Sequence, residues 1–370
     1  MTMRLLASCG PGEVRVLAMA EEEAIDAAIW RPGAPDGVGD LHRGRLVARL
    51  PALAGAFVAL DGAEGFLPDS AGGAGLAEGS AIGVRIVRAG QGGKGPRLTA
   101  AIDERDRARI GAGPPALIER GPHALTRIAA LHPDAEVTVD DPALAAALRE
   151  ELGARTTIAG TAFDDAAEAA FEALTSPRAT LPGGAEMHVH PTPALTAIDI
   201  DLAAASGERG GKAAAHHGAN LKLLPALARQ IRARNLGGAI VVDLAGLSPK
   251  RRAALGPAFA AALENDVLRP RFLGFTALGF AEILRPRIHP PLHEVLAGPH
   301  AAGLEALRVL LAESQARPAA MLRLRAAPAI ATALAADSHA RADLARRTGR
   351  PLIMETDRNM PAMVWRIEET

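Results

Sequence analysis

Two short hydrophobic segments end in carboxylates, Ala197-Ile-Asp199-Ile-Asp201 and, about forty residues on, Ala239-Ile-Val-Val-Asp243. Between them runs a helical stretch closed by Asn235-Leu-Gly237-Gly238. A strand, helix, strand unit of this length makes a right-handed crossover that leaves its strands parallel, so their carboxyl ends share one edge. Period-two alternation turns Asp199 and Asp201 to the same side of their strand, and Asp243 reaches the equivalent height on a nearby one. Carboxylates gathered in this way repel one another unless a cation sits among them. A purely oxygen donor set selects a hard ion, magnesium or manganese, and such sites usually serve phosphate chemistry. Taken singly, each aspartate also has a structural reading, because aspartates cap turns and helices at strand ends.

Elsewhere the pattern changes texture. Residues 3 to 30 alternate as an opening hairpin followed by Ala24-Ile-Asp-Ala-Ala-Ile-Trp30, and the Pro and Gly cluster from Pro32 to Gly39 breaks it. From Asp40 to Ile102, five short strands separated by glycine predict a small Greek-key barrel of the OB type. OB barrels bind single strands by stacking bases on aromatics in a basic groove. Phe57 and Phe66 fall in this segment with Arg43, Arg45, Arg85, Arg88, Lys94 and Arg97 nearby. From the residues alone, the two phenylalanines read as filling of the barrel core. Residues 113 to 170 show mixed strand and helix signals, and after Gly298 helices and apolar strands form a terminal unit in which Trp365 reads as core.

Composition narrows the class. With 370 residues, 49% hydrophobic and 22% charged, the chain is globular and long enough for several cores. Its 41 basic and 42 acidic residues leave a net charge of -1, yet Arg209, Lys212, Lys222, Arg229, Arg232, Arg234, Lys250, Arg251 and Arg252 crowd one segment around Asp243. Basic charge concentrated beside a cation site suits a polyanion; the plainer reading of Arg229, Arg232 and Arg234 is a solvated helix face. No apolar run predicts a signal peptide or a membrane span, which leads to an expectation of a cytoplasmic protein. The single cysteine, Cys9, excludes an internal disulfide and any multi-thiolate zinc site. Gly90-Gln-Gly-Gly-Lys94-Gly95 lacks the spacing and the hydroxyl residue of a Walker loop. His188 with His190, and His216 with His217 ahead of the helix, supply too few converging ligands for zinc and read as surface imidazoles. No nucleophile elbow for a serine hydrolase is present.

Gly44-Arg-Leu-Val with Gly55-Ala-Phe57-Val-Ala-Leu-Asp-Gly-Ala-Glu-Gly-Phe66-Leu-Pro resembles the S1-type domain of the ribonuclease E/G family, and Gly92-Gly-Lys94-Gly-Pro-Arg-Leu-Thr resembles its closing strand. Leu195-Thr-Ala-Ile-Asp199-Ile, Asn220-Leu and Ala228 through Asp243 resemble the family's catalytic core, as does Gly279-Phe-Ala-Glu282 more weakly. The resemblance implies an α/β multidomain chain: an RNase H-like domain from residues 1-35 plus 103-170, an inserted S1/OB barrel over 36-102, a DNase I-like catalytic domain over 171-298 and a small C-terminal α/β domain over 299-370. It implies Asp199 and Asp243 as magnesium ligands, with manganese able to substitute, and Phe57, Phe66 and Lys94 as RNA contacts. Asp201 joins the catalytic set, and Glu282 is a further candidate. The implied reaction is hydrolysis of single-stranded RNA by water, leaving a 5′-phosphate and a 3′-hydroxyl.

The sequence also departs from that family. Only a short stretch separates Ile102 from Pro114, where the family places a sensor for a 5′-monophosphate, so dependence on the RNA 5′ end is expected to be weak or absent. Pro290-Pro-Leu-His-Glu-Val-Leu stands where the family has its paired-cysteine zinc link, so no zinc link is expected. A homodimer through the C-terminal domain is the expected assembly. Pro193 and Lys222 replace glutamates, Asp201 an asparagine, and Ala277 an arginine. Those changes keep a second class of function open: a catalytically silent RNA-binding or ribosome-associated protein that retains the barrel.

Overall fold

A computed structural model describes residues 3–202, 212–244 and 246–369, the side chains of 212–215 excepted. The first sheet contains β1 (Met3–Gly10), β2 (Glu13–Ala20) and β3 (Glu23–Trp30), an antiparallel meander. A barrel then interrupts it, built from β4 (Leu41–Leu50), β5 (Gly55–Ala59), β6 (Glu64–Pro68), β7 (Ala81–Arg88) and β8 (Arg97–Thr99). Pairing runs β5-β6-β8-β7-β4 and returns from β4 to β5, so the ring closes. Leu46, Val58, Leu67, Val84 and Leu98 fill its interior.

The stretch 103–119, which the sequence reading joined to the first domain, packs on the barrel. Helix Glu104–Ile110 buries Ile110 beside Leu41 and Ile102, and β9 (Ala116–Glu119) pairs with β4. Chain entry and exit meet at two glycines: a Cβ on Gly121 would lie 2.2 Å from the Val38 carbonyl oxygen and 3.0 Å from Gly39. Asp40 seals this neck by accepting from the Gly121 amide at 2.7 Å and from Arg120.

β10 (Glu136–Val139) and β11 (Thr156–Ile158) return to the first sheet, parallel to β1, in the order β11-β10-β1-β2-β3. Helix Ala124–Leu131 covers one face through Leu125 and Ile128, and helix Asp165–Thr175 covers the other through Phe171 and Leu174. Cys9 is a small buried residue of this core, and burial pushes its thiol pKa upward.

The third unit is a sheet of β12 (Arg178–Leu181), β13 (Ala185–Pro191), β14 (Thr196–Asp201), β15 (Gly238–Leu244), β16 (Arg271–Phe275) and β17 (Ala281–Arg285). Its order is β12-β13-β14-β15-β17-β16. β14 and β15 are parallel neighbours joined through helix Lys212–Ala233, as the crossover pattern predicted. Ile198, Ile200, Ile240 and Val242 lie against Leu223, Leu227 and Phe259 of the covering helices, so one face is core. The last unit pairs β18 (Leu322–Ala326) with β19 (Met354–Thr356) and β20 (Trp365–Glu369), and helix Gly298–Ala316 packs in its core. The chain is thus an α/β multidomain protein. Among the described residues, no helix is long and apolar enough to cross a membrane.

Candidate active site on the open sheet face

Alternation along β14 buries Thr196, Ile198 and Ile200 and leaves Asp199 and Asp201 exposed. On β15 the same rule buries Val242 and Leu244 and sets Asp243 half-buried between them. Parallel pairing puts Asp199 in register with Asp243, so the two carboxylates stand on neighbouring strands, about 4.8 Å apart in the pairing direction, on the same open face. Neither carboxylate has a hydrogen-bond or ion-pair partner among the described residues. Asp201 lies one pleat further along β14, opposite Glu186 of β13 rather than beside Asp243. Glu282 on β17 pairs with Val241 and occupies the same face.

His188 sits in register with Asp199 from the other side, so one row reads His188, Asp199, Asp243. The His188 and His190 rings lie parallel, 6.5 Å apart. The sequence placed both on one strand face, as found, but their reading as surface imidazoles missed that β13 is an interior strand, where His188 is half-buried beside a candidate ligand. His216 and His217 lie inside the helix rather than ahead of it.

Among the described residues, no three His, Cys, Asp or Glu side chains converge closely enough to cage an ion. The Asp199–Asp243 pair thus supplies the carboxylates of its row of the open face, with solvent on its open side. That arrangement fits an octahedral hard cation, which commonly keeps several waters and takes one or two protein carboxylates. It does not fit zinc, which takes three or four ligands, mostly nitrogen and sulfur.

The carboxyl edge of this sheet is closely packed. A Cβ on Gly246 would lie 2.0 Å from His216 Nδ1, and one on Gly279 would lie 1.8 Å from an Arg252 guanidinium nitrogen. Both glycines have positive φ, 64° and 99°, so the chain needs glycine there for conformation and for space. Thr276 Oγ1 caps the β16–β17 turn by accepting from the amides of Gly279 and Phe280, both at 3.1 Å. Arg252 thus brings a guanidinium to the turn that carries Ala277, and its Nε, like Arg251 Nη1, is shielded without a hydrogen-bond partner.

Three arginines of the expected basic field are spent inside the protein, whereas Lys222 and Lys250 are exposed. Arg229 donates to Glu23 at 2.5 Å, and Arg232 grips Asp26 at 2.5–2.6 Å. Arg234 is buried and donates to the carbonyls of Ala173 and Leu174; burial pulls its pKa down to about 10. Arg229 and Arg232 dock the helix onto the first sheet and Arg234 ties the chain just after it to the helix Asp165–Thr175, and neither the polyanion reading nor the solvated-face reading holds for them. Arg209 and the Lys212 side chain lie outside the described residues.

Phe57 and Phe66 pair across β5 and β6, with ring centroids 6.0 Å apart. Their neighbours Ala56, Val58 and Leu67 are fully buried, whereas the phenylalanines are only half-buried and lie outside the barrel core cluster. The core-filling alternative is therefore excluded. Gly55 makes room for the pair, since a Cβ there would lie 2.5 Å from Phe66 Cζ. Arg97 lies over the Phe66 ring at 6.0 Å. Burial and the neighbouring Arg97 and Arg287 hold the Arg88 pKa below its ordinary range. Lys94 is exposed on the turn two residues before Pro96, whose carbonyl accepts from the Phe66 amide. Arg43, Arg45 and Arg85 are instead tied to carbonyls or carboxylates of the barrel unit.

Residues 156–288, which contain every element of this carboxylate face, match the profile of the Ribonuclease E/G family. This segment belongs to the ribonuclease E/G family. Ribonuclease E of Synechocystis sp. is 33% identical over 129 residues, covering 35% of this chain and 19% of the relative. Ribonuclease E of Escherichia coli K12 is 34% identical over 129 residues, 34% of this chain and 12% of the relative. Ribonuclease G of Escherichia coli K12 is 28% identical over 193 residues, 48% of this chain and 39% of the relative. The matched part is thus well under half the length of each of these ribonuclease E and G relatives.

Proposed function

We propose that the chain is a divalent-metal-dependent endoribonuclease that hydrolyses phosphodiester bonds in single-stranded RNA and does not require a particular 5′ end. The observation that carries this reading is the in-register pair Asp199 and Asp243, two carboxylates without counter-charge on the open face of the family-matched sheet. Magnesium held there would supply Lewis acidity toward the scissile phosphate and its attacking water.

The chain's own residues account for the remaining needs. Phe57 and Phe66 offer partly exposed rings for base stacking, and Arg88, Arg97 and Lys94 supply charge for the backbone. Arg252 supplies beside the β16–β17 turn a guanidinium of the kind that Ala277 lacks. Asp201 adds negative charge one pleat away and tunes cation affinity rather than completing a cage. In domain terms we read the first sheet as RNase H-like, supported by its three-stranded meander extended by two parallel strands, and the six-stranded sheet as DNase I-like. Exposed Met321, Ile353 and Met363 support self-association through the C-terminal unit.

The test is cleavage of end-labelled, unstructured RNA with magnesium by the wild type, Asp199→Asn and Asp243→Asn. Cutting that either substitution abolishes supports the enzyme. RNA binding with no cutting by the wild type supports the silent RNA-binding alternative, and cutting that persists in both variants removes the roles assigned to the pair.

A further inference from the structure

At the opposite end of the six-stranded sheet, roughly 16 Å along β15 from Asp243, the first sheet, the barrel and the turn region after β17 enclose a cleft of about 780 Å³. That is an ordinary volume for a small-molecule site. Most of its charges already have partners. Arg232 holds Asp26, which also meets His132; Arg285 holds Asp266; His289 meets Asp36 at 2.5 Å.

Two cations of the wall, Arg127 and Lys94, and one carboxylate, Glu294, form no ion pair among the described residues. Arg127, on the helix Ala124–Leu131, makes no side-chain hydrogen bond or ion pair among the described residues. Its pKa lies below the ordinary guanidinium range because burial outweighs the fields of Asp36 and Asp26. A guanidinium set into a wall without a directly bonded partner costs stability, offset in part by the fields of Asp36 and Asp26. Lys94 approaches from the barrel on a turn that is itself pinned: the Ala89 amide and the Gln91 side chain both donate to the Ile288 carbonyl, at 2.8 and 3.5 Å. The apolar part of the wall is Trp30, Ile128, Val267 and Ile288. Trp30 rests against His123, with centroids 4.7 Å apart, and is itself only partly buried.

We propose that this cleft binds a nucleoside phosphate, its phosphate between Arg127 and Lys94 and its base on the apolar wall at Trp30. Arg127 and Lys94 together suit the charge of a phosphate monoester, about -1.5 to -2 at neutral pH, with Glu294 on the same wall as the one unpaired acid, and a guanidinium suits its oxygens as a two-pronged donor. Inorganic phosphate satisfies only the charged half of the cleft, so the nucleoside form binds more tightly. The site is separate from the carboxylate pair and does not depend on RNA cleavage.

Calorimetric titration of the full chain with adenosine 5′-monophosphate and with inorganic phosphate, in chelator and without RNA, keeps the result independent of any nuclease activity. The expected outcome is a Kd for the nucleotide below about 1 mM, weaker binding of phosphate, and a loss of at least about tenfold in Arg127→Gln with partial retention in Arg127→Lys. The exposed Arg105→Gln serves as control and binds as the wild type. Thermal melting guards against misfolding: Arg127→Gln melts no lower than the wild type, and saturating nucleotide raises the wild-type midpoint by about 2 °C but not that of the variant. Competition by a 5′-phosphorylated short RNA and not by its 5′-hydroxyl form supports the site and assigns its phosphate to an RNA terminus. Competition by neither supports it and assigns a free nucleotide. Absence of binding by both small probes at millimolar concentration, or unchanged binding in Arg127→Gln, overturns the proposal.

Discussion

The two faces of the six-stranded sheet differ in what folding demands of them. On one, Met187, Ile198, Ile200, Ile240, Val242 and Ile283 are essentially solvent-free and packed against helices. On the other, the side chains of His188, Asp199, Asp201, Asp243 and Glu282 form no hydrogen bonds or ion pairs among the described residues. Folding explains the first face completely and the second not at all. Unpaired carboxylates in adjacent strands repel and cost stability, a cost that the cation proposed above would offset.

That contrast can be broken by exchanging which property responds. Asp243→Asn and Asp199→Asn should each lower RNA cleavage by about a thousandfold, on the order of 4 kcal/mol in transition-state stabilisation. Their melting midpoints should equal or slightly exceed that of the wild type, measured by calorimetry. Ile200→Ala and Val242→Ala, immediate neighbours on the other face, should do the reverse, costing about 2–4 kcal/mol of stability in denaturant unfolding while the residual folded fraction cuts normally. A stability loss in the aspartate variants equal to that of the core variants would erase the distinction.

Smaller effects sharpen it. Phe66→Ala should weaken single-stranded RNA binding by about 1–3 kcal/mol in a filter-binding or anisotropy assay, with little change in the barrel's melting, because the ring lies outside the core cluster. Acid should act on the partnered carboxylates. Burial opposes charge on Glu13, but Arg31, Arg15 and Arg308 outweigh it, and His132 and Arg232 do the same for Asp26, so both titrate below their ordinary range. A carboxylate depressed in the folded state contributes stability above its unfolded pKa of about 4 that is lost as pH falls through the folded value. The melting midpoint should therefore fall steadily below about pH 4, and Arg232→Gln should shallow that fall, monitored by circular dichroism.

Much of this architecture was readable in the chain. Strict alternation in Thr196–Asp201 and an apolar run broken only by Asp243 in Gly238–Leu244 mark which face each strand turns inward, so the parallel neighbours and the height of the aspartates followed from periodicity. The barrel strands were marked by glycines needed for close approach, such as Gly55 under Phe66. What escaped was whatever depends on a distant partner. The arginines Arg229, Arg232 and Arg234 have the spacing of a basic surface, and only the first sheet, some two hundred residues earlier, supplies the carboxylates that use up two of them. Arg127 carries no local signal either, since its interest lies in lacking a partner that three separate segments of chain fail to provide.

The neck where Gly39 meets Gly121 has an evolutionary and practical consequence. Because the barrel unit leaves and re-enters the first sheet at nearly a single point, sealed by Asp40, it behaves topologically as a cassette. Joining residue 38 to residue 122 through a short flexible bridge would delete about eighty residues while leaving every strand of the meander and its two parallel extensions in the chain, and a foreign nucleic-acid-binding module could be spliced in at the same point.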